Sequence, residues 1–254
     1  KSILFFPIEK VLKNGMFGDM LEIYSAAELF NGPNTNFNAE VVAGLEVKGH
    51  KVFSPQRDGF EFTTLQNALS ELLPPEKIEE AVRKIIYSWD IISINKSDVV
   101  IARMDEPQDP GVIHEIDIAQ ALDVPVITYR TDVRSPYGSV MDTYGGMHTF
   151  PIESSVVLIR LMMPSKTLDE AKKDMGNLIN LLDSELMKIQ GKAPNQNFLN
   201  YPENIQRILE IGKILFDGID NIHSQEGLKE IAKRYLENSG QIEGFGPRVV
   251  GKLC

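Results

Sequence analysis

The sequence predicts an α/β fold, a doubly wound parallel sheet with an α-helical extension at its C-terminal end. Three observations predict it. Short Val/Ile-rich runs recur in the first half, as in Asp98-Val-Val-Ile-Ala102 and Pro125-Val-Ile-Thr-Tyr129. Helical periods separate those runs, and apolar strands alternating with helices form parallel sheets covered on both faces. From residue 160 onward helical stripes replace the alternation. The 254 residues divide into an N-terminal extension (1–19), an α/β domain (20–150) and a helical C-terminal extension (151–254).

Each element has its own signal. Lys1 to Ile8 is an apolar run behind one lysine, too short for a secretory signal and without a small-residue cleavage site. Met20 to Tyr24 reads as the first strand. Asn38 to Gly49 reads as a helix, with Val41, Val42, Leu45 and Val47 apolar and a terminal glycine. Lys51 to Phe53 is a strand that Ser54-Pro55 ends. Phe62 to Leu72 and Glu76 to Asn95 are helical, and Pro74-Pro75 between them suits the start of a helix. Asp98 to Ala102 and Pro125 to Tyr129 are buried strands around a helix at Val112 to Leu122. Leu168 to Gln190 carries a stripe of Ala171, Met175, Leu178, Ile179, Leu182 and Leu186. A polar loop, Gly191 to Asn200, precedes helices at Glu203 to Phe216 and Gly227 to Leu236, and the tail from Asn238 lacks a pattern.

Composition narrows the functional classes. Hydrophobic residues at 43% and charged residues at 24% exclude global disorder. No run approaches the roughly 20 apolar residues that cross a bilayer, so no membrane partner is expected. A net charge of −10 argues against polymeric DNA or RNA as partner, because phosphate backbones need a basic surface. A small nucleoside or nucleotide stays open. The single cysteine, Cys254, excludes an internal disulfide and a cysteine-based zinc site, which fits a reducing, cytoplasmic setting. His50, His114, His148 and His223 lack ligand spacing, so no metal is expected. Neither GxGxxG nor a Walker sequence is present, and no cofactor is expected.

Parallel sheets bind ligands at the carboxyl ends of their strands. Those ends follow Tyr24, Phe53, Ala102 and Tyr129. After Tyr24 come small residues and Phe30; after Phe53 comes a polar turn with Gln56. The densest signal follows Ala102. Asp109-Pro-Gly marks a turn and a helix start, and Glu115 falls six residues later, near the positive end of that helix. That position favours an ionised carboxylate in the crevice. An ionised carboxylate with a second acid near by suits attack on an anomeric carbon. The plainer reading makes Asp109 a cap and Glu115 a surface residue. Asp90 stands late in a long helix beside Trp89, the only tryptophan.

Together these residues resemble the nucleoside 2-deoxyribosyltransferase family and its nucleoside 5'-monophosphate N-glycosidase relatives. The resemblance spans about residues 20 to 145 and rests on order and spacing: Tyr24 with Phe30, Gln56, Trp89-Asp90, Asp98-Val-Val-Ile-Ala, Asp109-Pro-Gly with Glu115, and Pro-Val-Ile-Thr-Tyr-Arg-Thr-Asp-Val-Arg134. It implies a flavodoxin-like sheet. It implies that Glu115 is a nucleophile that attacks C1' of deoxyribose, and that Tyr24 orients it. Asp90, Asp109 and Gln56 fall on the nucleobase side, where they hold the base and help protonate it as it leaves. Phe30 falls in the pocket lining. Homo-oligomers with shared sites are also implied.

One segment departs from the transferase pattern. Gly138-Ser139-Val-Met141 has Ser139 where those transferases often place an asparagine two residues before methionine. A serine there is more like the monophosphate hydrolases, so Ser139 and Met141 are carried over as substrate-binding. Yet Ser25 to Asn31 lacks the arginine and paired glycines that cradle phosphate in those hydrolases. Arg134 reads either as a substitute phosphate ligand or as an ion-pair partner of Asp132. Three functions stay open: 2-deoxyribosyl transfer between nucleobases, hydrolysis of a nucleoside or its 5'-monophosphate, and a non-catalytic nucleotide-sensing module.

Overall fold

The computed structural model describes residues 20–139, 141, 143–189 and 201–242. The expected N-terminal extension, the loop at 191–200 and the tail beyond 242 lie outside the described residues.

Five strands form one all-parallel sheet in the order β2-β1-β3-β4-β5: β1 (Glu22–Ala26), β2 (Lys51–Phe53), β3 (Val99–Arg103), β4 (Val126–Arg130) and β5 (Val157–Arg160). This is the flavodoxin-like order. Its switch point lies between β1 and β3, where Tyr24 aligns with Val100 and Ala26 with Ala102.

Side chains alternate between the two faces of each strand. Ile23, Val99, Ile101 and Ile127 face one layer with α1 (Gly32–Val47) and α7 (Leu168–Ile189). Tyr24, Val100, Ala102 and Val126 face the other, with α3 (Phe62–Ser70), α4 (Pro75–Lys96) and α5 (Pro110–Ala121). Burial on both sides explains the continuous apolar runs.

Helix ends follow local chemistry. Asn31 caps α1, its side chain accepting from the Asn34 amide at 2.9 Å. Gly49 stops α1 with φ at +97°, a left-handed conformation open to glycine. Pro75 starts α4 and Pro110 starts α5, where the missing amide proton costs nothing. Three short helices go beyond the sequence pattern: α2 (Pro55–Asp58), where a polar turn is expected, α6 (Thr149–Glu153), and α10 (Ser239–Ile242) in the tail.

The second half is not helical from residue 151. β5 extends the sheet past that boundary, and α7 packs on α1 and β5. The run Val157-Leu-Ile-Arg160 is a four-residue edge strand, too brief to stand out against the helical stripes around it. The added layer proper is α8 (Glu203–Phe216), α9 (Gln225–Glu237) and α10 (Ser239–Ile242). It packs through α8 on α4 and through α9 on α3. No helix among the described residues is long and apolar enough to cross a membrane.

Candidate active site

The site is built where β1, α4 and α5 meet. Tyr24 is fully buried on β1. Its hydroxyl donates to Oε1 of Glu115 at 2.6 Å, across 91 residues of chain. Phe53, its partner across β2, stacks on the Tyr24 ring at 5.3 Å and 13°, which fixes the ring plane. Glu115 lies in the second turn of α5. Asp109 caps the same helix, Oδ1 accepting from the Val112 amide at 3.1 Å.

Electrostatics set these groups apart from ordinary surface acids. Burial pushes the Glu115 carboxyl up to about 8. The Tyr24 hydrogen bond opposes that shift, and the nearby charges of Asp90 and Asp109 add to it. Burial also pushes Asp90 up to about 7. The Tyr24 hydroxyl is raised by burial, then by Glu115 and Asp90. Glu115 is thus not the freely ionised carboxylate expected from its place near a helix start. The helix dipole acts mainly on the first turn, and removal from water outweighs it. Both shifts favour the neutral carboxyl over the ionised one near neutral pH.

A polar cleft of about 350 Å³ at the carboxyl ends of β1 and β3 reaches Asp109 but is not lined by Tyr24, Asp90 or Glu115; its walls are Glu28, Asn31, Asn34, Arg103, Asp105, Glu106, Pro107, Asp109 and Arg134. Glu28 accepts from the side-chain amides of Asn31 (2.9 Å) and Asn34 (2.5 Å). Asp105 pins the ends of β3 and β4: it accepts from the Thr131 amide and hydroxyl, both at 2.6 Å, and from Arg103 Nε at 2.7 Å. Burial would raise Asp105, but Arg103 and the Thr131 bonds together hold it below the usual carboxylate range. Arg134 donates to Asp132 at 2.8 Å. Among the described residues no group of three or more His, Cys, Asp or Glu is arranged to hold a metal ion.

The structure brings four candidates together: Tyr24, Asp90, Asp109 and Glu115. The others stand apart. Gln56 is exposed on α2 and donates to the Thr35 carbonyl at 3.1 Å. Phe30 is 81% exposed. Ser139 and Met141 lie in the loop after β4, both exposed, with Ser139 Oγ accepting from the Met141 amide at 3.1 Å. Sequence reasoning missed Phe53 as the support of Tyr24, and Glu28, Arg103 and Asp105 as cleft walls. Their position at or just after the ends of β1, β2 and β3 was the available signal.

The arrangement suits displacement at a carbon bearing a leaving nitrogen: one carboxyl to attack, a hydroxyl to orient it, a second acid to protonate. Family comparison agrees. A model described as nucleoside 2-deoxyribosyltransferase matches residues 23–182, well over half of the chain, and that span includes every candidate residue. A 2-deoxyribosyltransferase from Bacillus psychrosaccharolyticus is 21% identical, covering 50% of this chain and 82% of its own, with a TM-score of 0.35. A CMP N-glycosidase from Clostridium botulinum is 15% identical, covering 63% and 98%, with a TM-score of 0.36. The search of curated proteins finds no match. The class of activity that the family supports is glycosyl transfer or N-glycoside hydrolysis. With the match running from β1 into α7, the chain belongs to the nucleoside 2-deoxyribosyltransferase family.

Proposed function

We propose that the protein cleaves the N-glycosidic bond of a 2'-deoxynucleoside and transfers the sugar to another nucleobase through a glycosyl–Glu115 intermediate. The observation that carries this reading is the 2.6 Å hydrogen bond from Tyr24 to Glu115 beside Asp90. In the first step a Glu115 oxygen bonds to C1' as the C1'–N bond breaks. The bonding pair leaves with the base, which takes a proton from Asp90. In the second step a nitrogen of the incoming base displaces the Glu115 oxygen at C1' and returns its proton to Asp90. Two inversions give net retention. Tyr24 holds the attacking oxygen in place, and Asp109 and Gln56 serve the base side. Sites shared between two copies of the chain are part of this proposal.

Hydrolysis of a nucleoside 5'-monophosphate is the second reading. Arg134 in the cleft wall favours it. Glu28, Asp105, Glu106 and Asp109 in the same wall oppose a dianionic group.

One chromatographic assay separates the readings. The protein is incubated with 2'-deoxyinosine, with and without adenine, and with the matching 5'-monophosphate. Deoxyadenosine formed only with adenine supports transfer. Free base released from the monophosphate regardless of adenine moves the assignment to hydrolysis. Glu115→Ala is expected to lose at least about 10³-fold in turnover with its fold intact, given the size of such effects for nucleophiles. Near-normal turnover in that variant rules out its role.

A further inference from the structure

The C-terminal helices reach the acid site through a row of rings. Tyr24 stacks on Phe53, Phe53 meets Trp89 edge-on at 6.1 Å, and Trp89 meets Phe216 of α8 at 5.0 Å. Phe60 closes the cluster, 6.0 Å from Trp89, 5.9 Å from Phe216 and 5.3 Å from the ring of His223. Trp89 Nε1 also donates to the Asp58 carbonyl at 3.0 Å, which pins the end of α2, the helix that bears Gln56. Asp90 is the next residue along α4.

The backbone packing is close at the same turn. A Cβ added at Gly212 would lie 1.9 Å from Ile92 Cδ1 and 3.5 Å from the Ser88 carbonyl. α8 therefore rests directly on the stretch from Ser88 to Ile92 that presents Asp90. Phe216 is 7% exposed and lies outside the residues 23–182 that the family model matches. The family match thus leaves out the helix that packs on the Trp89 turn.

We infer that Phe216 is a positioning residue for the acid site: packed on Trp89, it holds the α4 turn that presents Asp90 and ties the C-terminal helices to the reaction. This rests on the proposed glycosyl chemistry. The physical basis is exclusion of water. The Phe216 ring covers Trp89, the neighbour of Asp90 on α4, and under this inference that cover keeps water from the turn bearing Asp90. The titratable groups coupled to Asp90 are Tyr24 on β1 and Glu115 on α5. Lys96 lies over the Trp89 ring at 5.7 Å, and His223 contacts Phe60.

Trp89 is the only tryptophan, so tryptophan emission reports on the surroundings of this one ring. The test uses the full chain and four proteins: wild type, Phe216→Ala, Phe216→Tyr and Ile231→Ala. The last thins the same layer on α9, which packs on α3 and α8 and, among the described residues, makes no ring contact with Trp89. Phe216→Ala is expected to shift Trp89 emission to the red and to lower kcat by about 10- to 100-fold, the size expected when a reacting group is slightly misplaced. The limb of the pH–rate profile that reports Asp90 should move toward lower pH. Phe216→Tyr should restore rate, profile and emission, and Ile231→Ala should leave the profile unmoved. If Phe216→Ala does not fold, Phe216→Leu keeps the volume, loses the ring and is read the same way. An unmoved profile in the ring-less variant, or an equal loss in Ile231→Ala, overturns the inference. Absence of turnover in the wild type instead overturns the glycosyl reading on which it rests.

Discussion

Tyr24 and Glu115 are far apart in sequence and joined by one short hydrogen bond. The donated proton stabilises the ionised carboxylate and orients it. A hydrogen bond to a charged group is worth about 1.5–3 kcal/mol. Tyr24→Phe keeps the ring stacked on Phe53 and deletes only the donor. We expect it to lower kcat/KM by about 10- to 100-fold. We also expect the acidic limb of the pH–rate profile to move to higher pH, because Glu115 ionises less readily without its donor. A profile of kcat/KM against pH for the two proteins checks both; an unshifted limb would separate Tyr24 from the ionisation of Glu115.

At the scale of the element, α5 has two tasks. Its first turn is held by the Asp109 cap, and its second turn presents Glu115. Asp109→Ala removes the cap and should cost about 1 kcal/mol of stability. Asp109→Asn keeps the cap oxygen and removes the charge, so stability should stay close to that of the wild type. Both substitutions remove a like charge that raises Glu115, and each should lower the acidic limb. Denaturant titrations and pH–rate profiles distinguish the cap from the charge. Equal destabilisation by Ala and Asn would show that the cap oxygen contributes nothing.

Across the whole molecule, the buried acids make stability depend on pH in a defined direction. Glu115 rises from 4.5 to about 8 on folding, and Asp90 from 3.8 to about 7. Between the unfolded and folded values the native state binds more protons than the unfolded chain. Stability is therefore highest below the unfolded values and falls as pH rises through about 4 to 8. The slope is about 1.4 kcal/mol per pH unit for each acid that ionises only in the unfolded chain. Asp105 acts in the opposite sense: its folded value is depressed, so its contribution is lost as pH falls through the acid range. Glu115→Gln should melt higher than the wild type at pH 8, with the gap narrowing toward pH 5. An equal gap at both values would show that Glu115 titrates normally.

The α/β class and eleven of the elements were legible in the sequence. Buried strands read as apolar runs because both faces of the sheet are covered, and Asp109-Pro110 read as a helix start because capping is local chemistry. Spacing along the chain also put Glu115 on α5 and Asp90 on α4. Tertiary structure alone decided the rest. β5 joined the sheet because β4 had a free edge to pair with, which a short apolar run cannot announce. Glu115 lost its expected easy ionisation because Tyr24, α4 and the sheet remove it from water, and burial is a property of the folded whole. Phe53 came under Tyr24 through strand register, and Phe216 came onto Trp89 through helix packing. Residue types and local starts are written in the chain; distances, dielectric and the partners of each side chain arise only when distant segments meet.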